Sequence, residues 1–255
     1  MCLVLIAIDQ DEQLPVVIAA NRDEYYERPT ATAHFWQDAP EVLAGRDLRG
    51  QGTWLGVTRN GRIAAVTNYR DPSNVIQGAP SRGGLVSGFL LEKTSPAGYV
   101  EKLSRQAGAY NGFNLIAGMK NEIYWYSNRA RCPLRLDKGI YGLSNHLLDT
   151  PWPKVRLIKK EFRKILASGK GQLEESLFQI LQDRYTPEDG ELPSTGVKLE
   201  WERILSPIFI KSPSYGTRSS TVITIDRSSM VRFEERSYGP GIEDHSGVRF
   251  SFGIS

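Results

Sequence analysis

The sequence is poor in residues that build covalently or metal-stapled scaffolds. Only two of its 255 residues are cysteine, Cys2 and Cys132, which excludes a disulfide framework and an all-cysteine zinc site. Only His34, His146 and His245 are histidine, and no His-x-x-x-His spacing occurs, so no histidine-rich metal centre is expected. Long apolar runs are also missing. The run Cys2-Leu3-Val4-Leu5-Ile6-Ala7-Ile8 stops at Asp9, far short of the ~20 residues of a bilayer span. It has neither the basic flank nor the small-residue cleavage site of a signal peptide. Neither charge dominates: Lys plus Arg is 32 and Asp plus Glu is 29, a net +3, which gives nucleic-acid binding no support. No internal repeat or low-complexity linker interrupts the chain. These absences point to a cytoplasmic protein of a reducing compartment, with no transmembrane segment and no nucleic-acid partner.

The residues present suffice for a substantial core, at 40% apolar and 24% charged. Residues 2–8 read as a buried strand and Pro15 to Ala20 as its hairpin partner. Residues 25–52 read as irregular, punctuated by Arg28-Pro29, Asp38-Ala39-Pro40 and Gly45-Arg46-Asp47. Two strands flanking Asn60-Gly61 predict a hairpin with a type I′ turn. Helices are expected over Ser81–Glu92 and Pro96–Ala107, and a strand pair over Phe113–Ala117 and Glu122–Tyr126. Another strand runs from Ile140 into Ser144-Asn145. Thr150-Pro151 predicts a helix start, with Thr150 as cap and Pro151 in the first position. Leu173 to Leu181 marks a second amphipathic helix, and Trp201 to Ile210 a short one. A strand pair, Thr221–Ile225 and Met230–Phe233, closes the pattern. Strand pairs at both ends with helices between them favour one α+β domain over 1–255, with layered antiparallel sheets.

Polar clusters sit where apolar strands end: Asn21-Arg22-Asp23-Glu24 and Asn68-Tyr69-Arg70-Asp71. Such groups are costly at a buried strand end unless paired. Cys2 directly follows the initiator. Once Met1 is removed, as expected before so small a residue, the thiol and a free α-amine share one residue. An α-amine is partly neutral near pH 7 and can serve as a base. Position alone also allows a plain reading, in which Cys2 is a small buried hydrophobe.

Several motifs carry a family resemblance: Met1-Cys2, Asn21-Arg22-Asp23-Glu24, Gly52-Thr53-Trp54-Leu55-Gly56, Asn68-Tyr69-Arg70, Ser81-Arg82-Gly83, Gly112-Phe113-Asn114-Leu115, Ser144-Asn145 and Thr150-Pro151-Trp152-Pro153-Lys154-Val155. Together they resemble the NRDE family, also called the transport and Golgi organisation protein 2 family. That family is in turn similar to the N-terminal nucleophile hydrolases, above all the cysteine amidases of the bile-salt hydrolase and penicillin V acylase type. The resemblance implies a four-layer αββα sandwich with its site at the strand ends.

It also implies roles. Cys2 is the nucleophile in hydrolysis of a carbon–nitrogen bond in a small substrate, and Asp23 orients its amine. The Asn68 N–H and the Asn145 side-chain amide are the oxyanion donors, and Arg218 holds the thiol deprotonated and pairs with Asp23. Asn21, Arg22, Arg46, Trp54 and Arg70 are expected to bind substrate, Arg46 and Arg70 alongside Arg49 and Arg62, in a pocket for an anionic, partly apolar small molecule. The match has one departure: the amidases carry arginine just before the Asn-x-Asp segment, where this chain has Ala20 and sets Arg22 two residues on. The rival function that the family implies is a non-enzymatic intracellular carrier, in haem trafficking or in lipid and acyl-coenzyme A homeostasis. Neither activity calls for a resident cofactor. Haem is a carried ligand at most, with Cys132, His34 and His146 as the residues to bind it. The run Lys154, Arg156, Lys159, Lys160, Arg163 and Lys164 reads as a solvated helix face.

Overall fold

The first strand sets the architecture. In β1 (Cys2–Ile8) every residue is buried, and the pleat sends alternate side chains to opposite faces. Cys2, Val4, Ile6 and Ile8 join one apolar cluster, whereas Leu3, Leu5 and Ala7 join another. A strand buried on both faces must lie inside a layered structure, and it does.

The computed structural model describes residues 2–130, 132–169, 171–240 and 246–255. After β1 come β2 (Val16–Tyr25), β3 (Thr30–Phe35), β4 (Val42–Asp47), β5 (Leu55–Thr58), β6 (Ile63–Asn68), α1 (Gly83–Leu91) and α2 (Pro96–Ser104). Then follow β7 (Phe113–Met119), β8 (Glu122–Ser127), β9 (Leu134–Leu136), β10 (Gly139–Leu143), α3 (Pro153–Ser168), α4 (Leu173–Leu181) and α5 (Leu199–Leu205). β11 (Tyr215–Ile225), β12 (Met230–Ser237) and β13 (Ser246–Gly253) complete the chain. One antiparallel sheet runs β10-β1-β2-β11-β12-β13 and the other β3-β4-β5-β6-β7-β8-β9. A shared core fills the space between the sheets, with Ile18, Ile116, Ile223 and Phe233 among its members. α1 and α2 cover the seven-stranded sheet, and α3 and α4 cover the six-stranded one. The result is the four-layer αββα sandwich expected of this α+β chain.

Several local expectations are corrected. β3 and β4 occupy part of the stretch read as irregular. Their pattern is hidden because only Ala33 of β3 is buried and a register shift interrupts the pairing after Ala31. The hairpin after β5 is not type I′. Gly61 N–H donates to the Thr58 carbonyl and Gly61 alone takes positive φ, +81°, the geometry of a turn ending in a left-handed glycine. α3 starts two residues later than expected, with Trp152 as cap and Pro153 first. The second proline takes that place because its missing N–H costs nothing there. β13 adds a third strand to the closing pair, and β2 runs five residues beyond Ala20.

Candidate active site

The extension of β2 builds the site. Asn21 to Tyr25 stay in the ladder because Tyr215, Gly216 and Thr217 of β11 pair with Tyr25, Glu24 and Asp23. Cys2 stands opposite Arg22 across the β1–β2 ladder. The pleat puts Arg22 on the inter-sheet face with Cys2, and Asn21 and Asp23 on the face toward α3 and α4.

On the helix side, Asn21 donates through Nδ2 to the Leu181 and Ile208 carbonyls at 2.8 and 2.9 Å, and its Oδ1 accepts from Ser220. Asn21 thus anchors the chain on the helix side of the sheet and is not among the residues lining the Cys2 cavity. Asp23 accepts from the Thr217 hydroxyl through Oδ1 at 2.8 Å. Burial pushes its carboxyl above the usual range, against the pull of Lys154, the Thr217 hydrogen bond and Arg22. Burial likewise pushes the Cys2 thiol up, and Asp23 and Glu24 push the same way while Arg22 pulls down.

On the inter-sheet side a polar cavity of about 390 Å³ opens over Cys2. Arg22, Trp54, Asn68, Arg82 and Arg49 line it, together with the Arg28–Asp47 ion pair at 2.7 Å. Arg22 is only 5% exposed. Its guanidinium lies over the Trp54 ring, 4.2 Å from the centroid, and its Nη1 has no hydrogen-bond partner among the described residues. A buried guanidinium nitrogen without an acceptor is costly, and the residue that carries it is one of those lining the cavity.

Asn68 and Asn145 come together across the two sheets. The β1–β10 ladder ends at the Val4–Leu143 pair, and Asn145 lies two residues beyond it. Asn145 Nδ2 donates to the Asn68 carbonyl at 3.0 Å, and the Arg70 N–H donates to the Asn145 carbonyl at 2.7 Å. Thr67 Oγ1 and Asn114 Nδ2 hold the neighbouring Ser144 and His146 carbonyls. Asn68 and Phe113 form a non-hydrogen-bonded pair, since Tyr69 N–H reaches the Gly112 carbonyl. The Asn68 N–H therefore points away from β7, on the same side as the Val66 N–H that reaches Trp54. Asn145 itself does not line the cavity.

Other expected site residues do not line this cavity. Arg218 is the extra residue of a β-bulge between Thr217 and Ser219. Its described hydrogen bonds go to the Tyr25 and Arg28 carbonyls rather than to Asp23. Arg46 pairs with Asp38 and stacks on Trp36. Arg70 is buried in an ion pair with Glu202 at 2.6 Å, and Arg62 braces the Phe89 and Thr94 carbonyls. Neither His34, His146 nor Cys132 lines the Cys2 cavity. Both His146 nitrogens are engaged, by Tyr69 and Thr150; Cys132 is exposed. Among the described residues no group of three or more His, Cys, Asp or Glu is placed to hold a metal ion. Met1 and His245 lie outside the described residues.

Three neighbours of the site escape the sequence reading. Arg82, at the start of α1, contributes charge beside Cys2. Glu235 is buried between the sheets, facing Arg22, and is pushed up to about 7 chiefly by burial. Lys154, read as part of a solvated face, is instead buried and donates to the Leu205 carbonyl at 2.8 Å. Its spacing from Ile158 and Phe162 at i+4 and i+8 places it on the buried stripe.

A family model for Transport and Golgi organisation 2 matches residues 1–240. The chain belongs to that family. The bovine Transport and Golgi organization protein 2 homolog is 36% identical, with 93% of each chain covered. The human homolog is 35% identical over the same shares. Among solved structures, a variant of the conjugated bile acid hydrolase of Clostridium perfringens superposes with a TM-score of 0.51 at 9% identity, covering 100% of this chain and 97% of that one. At that identity the likeness is one of fold, and it gives this Transport and Golgi organisation 2 chain the fold of the N-terminal nucleophile hydrolases. Among the described residues no helix is long and apolar enough to cross a membrane.

Proposed function

We propose that the protein is an N-terminal cysteine hydrolase that cleaves the carbon–nitrogen bond of a small acyl amide bearing an anionic group. The observation that carries this reading is the pairing of Cys2 with Arg22 on one face, at the wall of a polar cavity. With Met1 removed, the Cys2 amine takes the thiol proton and sulfur attacks the acyl carbon. The carbonyl π electrons move to oxygen, where the Asn68 N–H stabilises them. Asn145 fixes Asn68 through its carbonyl. The oxyanion collapses, the carbon–nitrogen bond breaks, and the ammonium of Cys2 protonates the leaving nitrogen. Water then attacks the thioester, releasing the acid and restoring the thiol. Asp23 accepts hydrogen bonds from the amine, and the Arg22 guanidinium at the cavity wall binds the anionic group. Arg218 shapes this end of β11 through the bulge, an arrangement common beside active sites.

The test begins with the intact mass of protein from its own cells, expected to lack Met1. Mass spectrometry with an acyl-amide panel should then trap a thioester on Cys2. Cys2→Ala should abolish both the adduct and turnover. Quantitative retention of Met1, or turnover that survives Cys2→Ala, overturns the reading. A second reading, binding and carriage without turnover, is favoured by the burial that pushes the Cys2 thiol up. It expects equal anion affinity in wild type and Cys2→Ala, with no thioester. Both readings expect Arg22→Met to weaken anion binding about 10- to 100-fold, the loss of a charged hydrogen bond.

A further inference from the structure

Lys154 is a buried cation that the hydrolytic scheme leaves unused. It is 5% exposed at the start of α3 and lies on the same side of the six-stranded sheet as Asp23. One segment ties the two together. Its Leu205 carbonyl accepts from Lys154 Nζ, its Ile208 carbonyl accepts from Asn21, and its Ile210 N–H donates to Thr217 Oγ1, which in turn donates to Asp23. The charged groups that face Lys154 are Asp23, Arg70, Cys2 and Glu202, of which Asp23 has the largest influence. Glu202 is held by Arg70 at 2.6 Å and by Thr195, which leaves Asp23 as the carboxylate for Lys154. Asp23 in turn faces Lys154, Arg22, Arg70, Cys2, Tyr26 and Tyr215.

We infer that Lys154 is a positioning residue that holds Asp23 ionised, so that this carboxylate can hold the Cys2 amine. A buried carboxyl without a counter-charge takes up a proton and cannot accept from an ammonium with both oxygens. Burial brings Lys154 down to about 8, and Asp23 pulls the other way, toward the charged form. Only the link to the amine rests on the hydrolytic reading; the Lys154–Asp23 coupling stands apart from it.

The coupling is read by ¹³C-carboxyl NMR titration of Asp23 in the full chain. Lys154→Met should raise the Asp23 midpoint by about 1 pH unit, the low end of the effect of losing a nearby opposite charge. Lys154→Arg should leave it near the wild-type value. Should the methionine variant fail to fold, Asp23→Asn supplies the reciprocal measurement, a lowered Lys154 midpoint by ¹⁵N NMR of Nζ. Midpoints unchanged in these variants overturn the assignment, whether or not a thioester forms on Cys2. Shifted midpoints in a protein that forms no thioester support the coupling and overturn only the hydrolytic reading.

Discussion

At the scale of single residues, the site brings together buried charges of both signs. Arg22 stacks on Trp54 and faces Glu235, Arg70 pairs with Glu202, and Lys154 faces Asp23. Glu235 has the clearest consequence for stability. Its Oε1 accepts from the Ala33 N–H at 2.7 Å, and its folded pKa is raised from 4.5 to about 7. Between those values the folded state holds a proton that the unfolded state has lost. This contribution to stability is therefore fully present below pH 4.5 and is lost as pH rises through 7. Glu235→Gln keeps the acceptor for Ala33 and removes the titration. It should stabilise the fold at pH 8 by about 1–3 kcal/mol and much less at pH 5. Urea denaturation at the two pH values measures the difference, and equal gains at both would contradict it.

At the scale of elements, the cavity depends on two backbones meeting without side chains. A Cβ at Gly52 would lie 2.4 Å from the Gly83 carbonyl carbon and 2.6 Å from its oxygen. This contact joins the β4–β5 connection to the start of α1, with Thr53 N–H donating to the Gly83 carbonyl. Neither backbone can yield as a flexible side chain would. Gly52→Ala should cost about 1–3 kcal/mol by overpacking. It should also weaken anion binding, because it displaces the helix start that carries Arg82. Gly84 is the control, since nothing lies within 4 Å of a Cβ there. Gly84→Ala should be neutral or gain up to about 1 kcal/mol from helix propensity. Thermal melts and ligand titrations of both variants decide; equal behaviour would show the contact to be slack. β2 teaches a related lesson. Polar residues that looked like a strand's end remain in the ladder because β11 supplies partners.

At the scale of the whole molecule, three apolar layers hold four layers of structure. Phe233 belongs to the core between the sheets and Phe162 to the layer under α3 and α4, and both are buried. Truncating either to alanine should cost about 3–5 kcal/mol. β1 contributes to both layers, so the loss should be felt by the molecule as one unit. Denaturation of Phe162→Ala followed by tryptophan fluorescence and by circular dichroism should give coincident transitions. Separated transitions would show that the helix layer detaches by itself.

The fold was legible in the sequence wherever periodicity was strong: the doubly buried β1, the Asn60-Gly61 hairpin, and the stripes of α3 and α4. β3 and β13 were not legible, because an exposed edge strand needs little apolar patterning. The candidate nucleophile, the Asn21–Glu24 segment and the loop asparagines were likewise readable as local motifs. Their arrangement was decided only in three dimensions. Register across β1 and β2 chose Arg22 rather than Arg46 or Arg70 to face Cys2, and a bulge turned Arg218 toward backbone carbonyls. The packing of α3 against residues 205–210 converted Lys154 from an apparent surface charge into a buried one. Local pattern determines which face of an element is apolar, but which charges share a low-dielectric space depends on contacts between residues far apart in the chain.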